Sequence, residues 1–216
     1  MPLKQLRAII PPDSRERVVE RWPTGQKMRA FYYRDGLKVG FRYWDANGTL
    51  SMEYGIKENL MHGPFREFDS EGRLYHHNFY QFGKEPGLAR QYANGKLIGS
   101  YRMKHGSGAD LWYFSKGCLA EERYYQDGKW HGFERWWHPG NKTVWQESHF
   151  CMDLKHGIRR EWNSQGKLRR GYPQYFIQDR KVTRCKYLSA ARSDATLPRF
   201  TEKDNLPRRS LPSKFM

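Results

Sequence analysis

Short runs of large, β-favouring residues alternate with tight polar clusters along most of this chain. Arg29-Ala-Phe-Tyr-Tyr33, Leu74 to Tyr80, Phe133-Glu-Arg-Trp-Trp137 and Thr143 to Phe150 are such runs. At about five to nine residues each they are too short for helices and rich in aromatic side chains, so they predict strands. The clusters between them end in glycine, as in Trp44-Asp-Ala-Asn-Gly48, Phe68-Asp-Ser-Glu-Gly72, Tyr92-Ala-Asn-Gly95 and Trp162-Asn-Ser-Gln-Gly166. Asn and Asp bond their own backbone in such turns, and Gly takes the left-handed conformation that other residues resist.

The punctuation is periodic. Gly25, Gly48, Gly72, Gly95, Gly117, Gly140 and Gly166 recur every 22 to 26 residues, and a second turn residue follows eleven positions later at Gly36, Asn59, Gly83, Gly106 and Gly128. Each unit of about 23 residues therefore predicts one β-hairpin. Outer backbone groups of a hairpin need partners, and the next hairpin supplies them. The expected fold is all-β: a single-layer antiparallel β-meander of tandem hairpin repeats, about fourteen strands extending about 65 Å at ~4.8 Å per strand. A further glycine at Gly40, Gly63, Gly87 and Gly132 keeps this register, whereas Gly108 comes two residues early and Gly157 two late. The fourth unit is thus read as shortened and the sixth as carrying an insertion.

The ends depart from the pattern. Residues 1–21 read as an N-terminal arm and leading strand, 22–171 as the repeat array and 172–216 as a basic C-terminal cap or tail. Val182, Cys185, Leu188 and Ala191 fall at three-residue steps, which predicts a short helix over about 179–192. Pro198, Pro207 and Pro212 mark an irregular segment beyond it.

Composition sharpens this picture. Only 38% of the 216 residues are hydrophobic and the mean hydropathy is −0.98, yet 16% are aromatic. The apolar surface is concentrated in a few large rings, which argues against both a thick aliphatic core and disorder. No run approaches the roughly 18 apolar residues of a membrane span, and Met1 to Arg21 lacks the apolar centre of a secretory signal, so a cytoplasmic protein is expected. Cys118, Cys151 and Cys185 are spaced for neither zinc nor disulfides, which predicts free and mostly buried thiols.

Asp127-Gly128-Lys129-Trp130-His131-Gly132-Phe133-Glu134-Arg135-Trp136-Trp137, preceded by Tyr124 and Tyr125, resembles a MORN repeat. That family is marked by an aromatic strand, a Gly turn, Lys, a His-Gly pair and a closing aromatic. His62-Gly63, His131-Gly132 and His156-Gly157 match the pair, Gly40 and Gly87 lack its His, and the glycine that commonly follows is replaced in Pro64-Phe65, Phe133-Glu134 and Ile158-Arg159. The whole is most similar to variant MORN proteins of the YwqK-type antitoxin component family, over about Trp22 to Arg170. The resemblance implies a non-enzymatic scaffold that contacts a protein, with a toxin as one such partner, or a lipid surface.

The residues themselves nominate two binding surfaces. Neighbours on a strand face opposite sides, so in Trp112-Tyr113 and Trp136-Trp137 one ring of each pair turns away from the side its partner covers; these four are the candidate partner-binding anchors. The net charge of +16 supplies the second. Residues 163–216 hold 13 basic and 4 acidic residues, against 21 and 16 in residues 22–162, so the excess sits mainly in the last quarter. Arg169, Arg170, Arg180, Lys181, Arg184, Lys186, Arg208 and Arg209 are the candidates there for nucleic acid, anionic lipid or an acidic protein.

Chemistry is less well advertised. No phosphate loop or nucleophile elbow occurs, and no enzyme, metal site or cofactor is expected. His62, His131 and His156 sit at equivalent places in different hairpins, and a strand-pair spacing of about 10 Å holds them too far apart for one ion, which suits turn-buttressing better. Glu53, Glu67, Glu134, Glu147 and Glu161 lie on strands beside Arg or Lys, and cross-strand pairing on a solvated face is expected for them.

Overall fold

The computed structural model describes residues 8–85, 87–140 and 142–212. The outermost parts of the expected arm and tail, 1–7 and 213–216, lie outside the described residues. The chain is an all-β antiparallel meander with one short helix, and it divides into two compact units, residues 1–105 and 106–216.

In the first unit each strand pairs antiparallel with the next: β1 (Arg15–Arg21), β2 (Lys27–Arg34), β3 (Leu37–Trp44), β4 (Leu50–Lys57), β5 (Leu60–Phe68), β6 (Leu74–Tyr80), β7 (Leu88–Ala93) and β8 (Lys96–Lys104). The second continues the scheme with β9 (Ser107–Ser115), β10 (Cys118–Gln126), β11 (Lys129–Trp137), β12 (Val144–Cys151), β13 (Leu154–Lys155), β14 (Gly157–Glu161), β15 (Gln174–Ile177) and β16 (Arg180–Val182), where β13 and β14 both pair with β12.

Two kinds of turn alternate. At Gly25, Gly48, Gly72 and Gly166 a three-residue loop closes on the glycine, whose N–H donates to the carbonyl three residues back at 2.8 to 2.9 Å. Asn47, Asp69 and Asn163 accept from backbone N–H groups within their own loops, which is why Asx residues stand there. Most of the other turns are two-residue loops with both central residues left-handed, such as Asp35-Gly36, Asp127-Gly128 and Gln178-Asp179, the twist-matched geometry for hairpins. All eleven glycines expected to hold turns have φ between 71° and 100°.

Neighbouring two-residue turns also bond one another. The N–H of Gly128 donates to the Gly106 carbonyl, that of Asp153 to Trp130 and that of Asp179 to Lys155, at 2.8 to 2.9 Å. Gly106 is needed for closeness as well as for φ: a Cβ there would lie 2.8 Å from the Gly128 nitrogen.

The ends differ from expectation. Hairpin pairing runs on past residue 171 into β15 and β16, because Gln178-Asp179 makes one more two-residue turn. Val182 therefore belongs to a strand, and the helix is only Arg184–Ala190 (α1), started by the Thr183 hydroxyl accepting from the Lys186 N–H. The tail then folds back. Tyr187 and Leu197 are buried with Ile158 and Tyr175, and Tyr187 donates to the Pro198 carbonyl at 2.6 Å. Past a 3-10 turn at Glu202–Asn205, Val144 N–H bonds Pro207 O and Trp162 Nε1 bonds Asn205 O. At the other end Ile10 packs with Ala30 and Tyr32. The arm lies so close that a Cβ on Gly40 would stand 2.5 Å from Ile10 Cγ1.

The thiols are more accessible than expected. Cys118 and Cys151 are half-buried and Cys185 is exposed, all three free. Cys185 sits on the outer side of a one-sided helix whose buried residue is Tyr187.

Candidate functional site

Cross-strand partners share a face, so the registers sort the side chains into rows. In the first unit Phe31, Phe41, Tyr54 and Phe65 are successive partners, with ring centroids 4.9 to 6.0 Å apart. The adjacent row, on the opposite face, is Ala30, Arg42, Glu53, Arg66, His77, Arg90 and Ser100. Glu53 binds Arg42 at 3.2 Å and Arg66 at 3.1 Å.

The second unit repeats the charged row as Leu111, Glu122, Arg135, Glu147 and Arg160. Glu147 is held by Arg135 at 2.7 Å, Arg160 at 3.1 Å and, from the tail, Arg209 at 2.7 and 2.9 Å. Burial works to raise the Glu147 pKa, but the Arg209 hydrogen bonds and the Arg135 charge prevail and pull it down to about 2. Ion pairing was the expected role of Glu53 and Glu147. The solvated face was not: Glu53 is 3% and Glu147 1% exposed, because the arm and the tail cover these rows.

The opposite face of the second unit carries the row Trp112, Glu121, Trp136, Gln146 and Glu161. Beside it, two positions along each strand, runs Asp110, Arg123, Glu134 and Ser148. Two expected anchors, Trp112 and Trp136, thus meet across β10 with Glu121 between them. Both indoles are half-buried, and Trp136 also packs on Trp145 at 5.6 Å. Phe114, the bulged residue two positions beyond Trp112 on β9, is 53% exposed. The other two anchors are not brought there. Tyr113 is half-buried and pairs with Leu119 on the other face. Trp137 has no exposed surface; paired with buried Val144, it is a core residue and no anchor.

Glu121 was not among the residues nominated by sequence. Its carboxyl lies 3.3 Å from Arg123 Nε without a hydrogen bond, and Arg123 in turn binds Asp110 at 3.0 Å. Burial, with the neighbouring Glu134 and Asp110 charges, outweighs Arg123 and pushes the Glu121 pKa up to about 7. Arg159 takes Glu161 at the end of the row.

The basic candidates separate into two groups. Arg209 is committed to Glu147, and Arg184 pairs with Glu202 at 2.9 Å. Arg169, Arg170, Arg180, Lys181, Lys186 and Arg208 are exposed and make no salt bridge among the described residues. Arg209 fails as a surface cation because its guanidinium is 10% exposed and also donates to the Asp204 and Leu206 carbonyls.

His62 packs on Phe82 and His156 on Thr196, and no three His, Cys, Asp or Glu side chains among the described residues gather as metal ligands do. A pocket of about 690 Å³ at β1 is lined by Asp13, Arg15, Glu16, Arg17, Tyr33, Arg34, Asp35 and Gly36, with Arg34 tied to Asp13. Mixed charges there converge on no common point. No helix of the described residues is long and apolar enough to cross a membrane. No protein-family model and no curated protein matches this chain.

Proposed function

We propose that this protein is a non-enzymatic hairpin-repeat scaffold that binds a protein partner through the Trp112–Glu121–Trp136 face of its second unit. The observation that carries the reading is the row itself. Two half-buried indoles lie on one side of the sheet, while the tail packs on the other side at Val144, Glu147 and Trp162. Large rings with accessible surface are the anchors of protein interfaces. The resemblance to YwqK-type MORN proteins gives the partner its class, a toxin-like protein occluded by the sheet.

The test is capture from the native cell with the wild type and with a Trp112→Ala/Trp136→Ala double variant of unchanged circular dichroism. A partner retained by the wild type and lost by the variant is expected. Equal capture by both would refute this face as the interface.

A second reading keeps one specific support, the six exposed tail cations without ion partners. It predicts binding to DNA or anionic vesicles that weakens steeply with salt, as counterion release requires. Salt-insensitive binding, or none, removes it.

A further inference from the structure

We propose that Glu121, lying between Trp112 and Trp136, is the seat for a lysine or arginine side chain of the protein partner. This rests on the reading of that face as the partner-binding surface, and names the chemistry it recognises.

The geometry begins with spacing. Trp112 and Trp136 are direct neighbours of Glu121 on either side, so their backbones stand about 10 Å apart across β10. A cationic head stacked on the face of either indole would meet its negative π cloud, with the Glu121 carboxylate between the two strands' rings. Ammonium and guanidinium groups favour such surroundings; an anion does not.

The second line is unsatisfied bonding. Glu121 is 7% exposed, and its ion pair with Arg123 Nε, at 3.3 Å, is not a hydrogen bond. Buried carboxylates are ordinarily well supplied with donors. Arg123, the one cation within contact distance, is drawn to Asp110, and its Nε donates to nothing. The site has acceptor capacity that an incoming N–H would fill.

Charge points the same way. Arg123 draws the Glu121 carboxyl towards ionisation while the Glu134 and Asp110 charges oppose it; Arg159 and Lys155 act on Glu134 from farther along, and Glu161 is already paired. With no set of metal ligands among the described residues, an organic cation is the better complement. Such a guest favours the ionised carboxylate, so binding should tighten as pH rises through about 7, where Glu121 titrates.

Indole N–H resonances of Trp112 and Trp136 provide the readout, titrated with N-acetyl-arginine amide, N-acetyl-lysine amide and, as an uncharged isostere, N-acetyl-citrulline amide. Saturable shifts with the first two are expected at millimolar concentrations, at least about tenfold weaker for citrulline and for the isosteric Glu121→Gln variant. In the wild type alone, binding should be about fivefold tighter at pH 8 than at pH 5.5. Citrulline binding as well as arginine, or arginine binding that ignores pH, overturns the proposal. A native partner captured equally by wild type and Glu121→Gln also sinks the seat, while leaving the scaffold reading intact. Failure to capture any partner, with arginine amide still bound, counts against the scaffold reading instead.

Discussion

The two buried charge rows solve one problem in different ways. In the first unit a single carboxylate, Glu53, is shared by Arg42 and Arg66, after which the row continues through His77, Arg90 and Ser100 without another acid. Its cover is apolar, the arm carrying Ile10 close over Gly40. The second unit alternates Glu122, Arg135, Glu147 and Arg160, and its cover is ionic: Arg209, 62 residues along the chain, adds a third guanidinium to Glu147. Leu111 stands where another arginine would complete the alternation, so Glu122 keeps one buried oxygen unpaired and burial raises its pKa. A thin sheet can bury charge wherever each carboxylate finds its cations, and the cover evolves to match the remainder.

The largest test breaks the ionic row at its centre. Glu147→Ala leaves three guanidiniums facing a hole and should cost about 4 kcal/mol, whereas Glu53→Ala should cost about 2, because Arg42 is 33% exposed and can turn to water. Urea melts of both variants provide the comparison. Equal losses would show that the tail cation adds nothing to the second row.

Next comes the clasp alone. Arg209→Ala should destabilise the second unit by about 2 kcal/mol and speed proteolysis within 201–212, since it removes two bonds to Glu147 and three to tail carbonyls. The acid limb should move too. A carboxyl whose folded pKa lies near 2, below its unfolded value of 4.5, contributes stability that is complete above about 4.5 and fades as pH falls toward 2. Without Arg209 that pKa rises, and acid unfolding should begin at higher pH.

The apolar cover has its own, smaller test. Gly40→Ala places a Cβ 2.5 Å from Ile10 Cγ1, and displacing the arm should cost about 1 to 2 kcal/mol. Removing residues 1–12 from that variant should then cost little more. A further large loss on truncation would mean the arm is held mainly elsewhere.

The hairpins were readable because turn chemistry is local. Asn, Asp and Gly determine loop geometry over three or four residues, so the repeat, its period and all eleven turn glycines follow from the chain itself. Which ring faces which side does not. The β9–β10 register shifts by a residue at Phe114 and back again at Ala120, and the β11–β12 register shifts at Trp145, so facing pairs near these bulges cannot be counted off in steps of two. Alternation sends Trp136 and Trp137 to opposite faces, and the tail packed at Val144 decides that Trp137 is the core ring. Glu121 escaped notice for another reason: its place opposite Trp112 follows from the Lys116-Gly117 turn, but the burial that shifts its pKa is not written in the hairpin. Burial of Glu53 and Glu147 depended on the distant arm and tail, and α1 was overestimated because three-residue steps ran through a strand.

The smallest expected effect contrasts the two faces of β10. Glu122 and Glu121 are sequence neighbours on opposite sides, and Glu121 belongs to a row that no tail cation serves. Its pKa of about 7 lies above the unfolded value of 4.5. The folded state therefore holds this proton while the unfolded state loses it, so a penalty grows from pH 4.5 to about 7 and is constant above. The shift corresponds to at most about 3 kcal/mol. A glutamine removes the penalty but remains a buried polar group lacking partners, which offsets most of the gain. Glu121→Gln should then be about 1 kcal/mol more stable than wild type at pH 8, and no more stable at pH 4.5. Thermal denaturation across that range decides it. A gain independent of pH would mean that Glu121 titrates normally and that its face, like the row behind it, already contains the cation it needs.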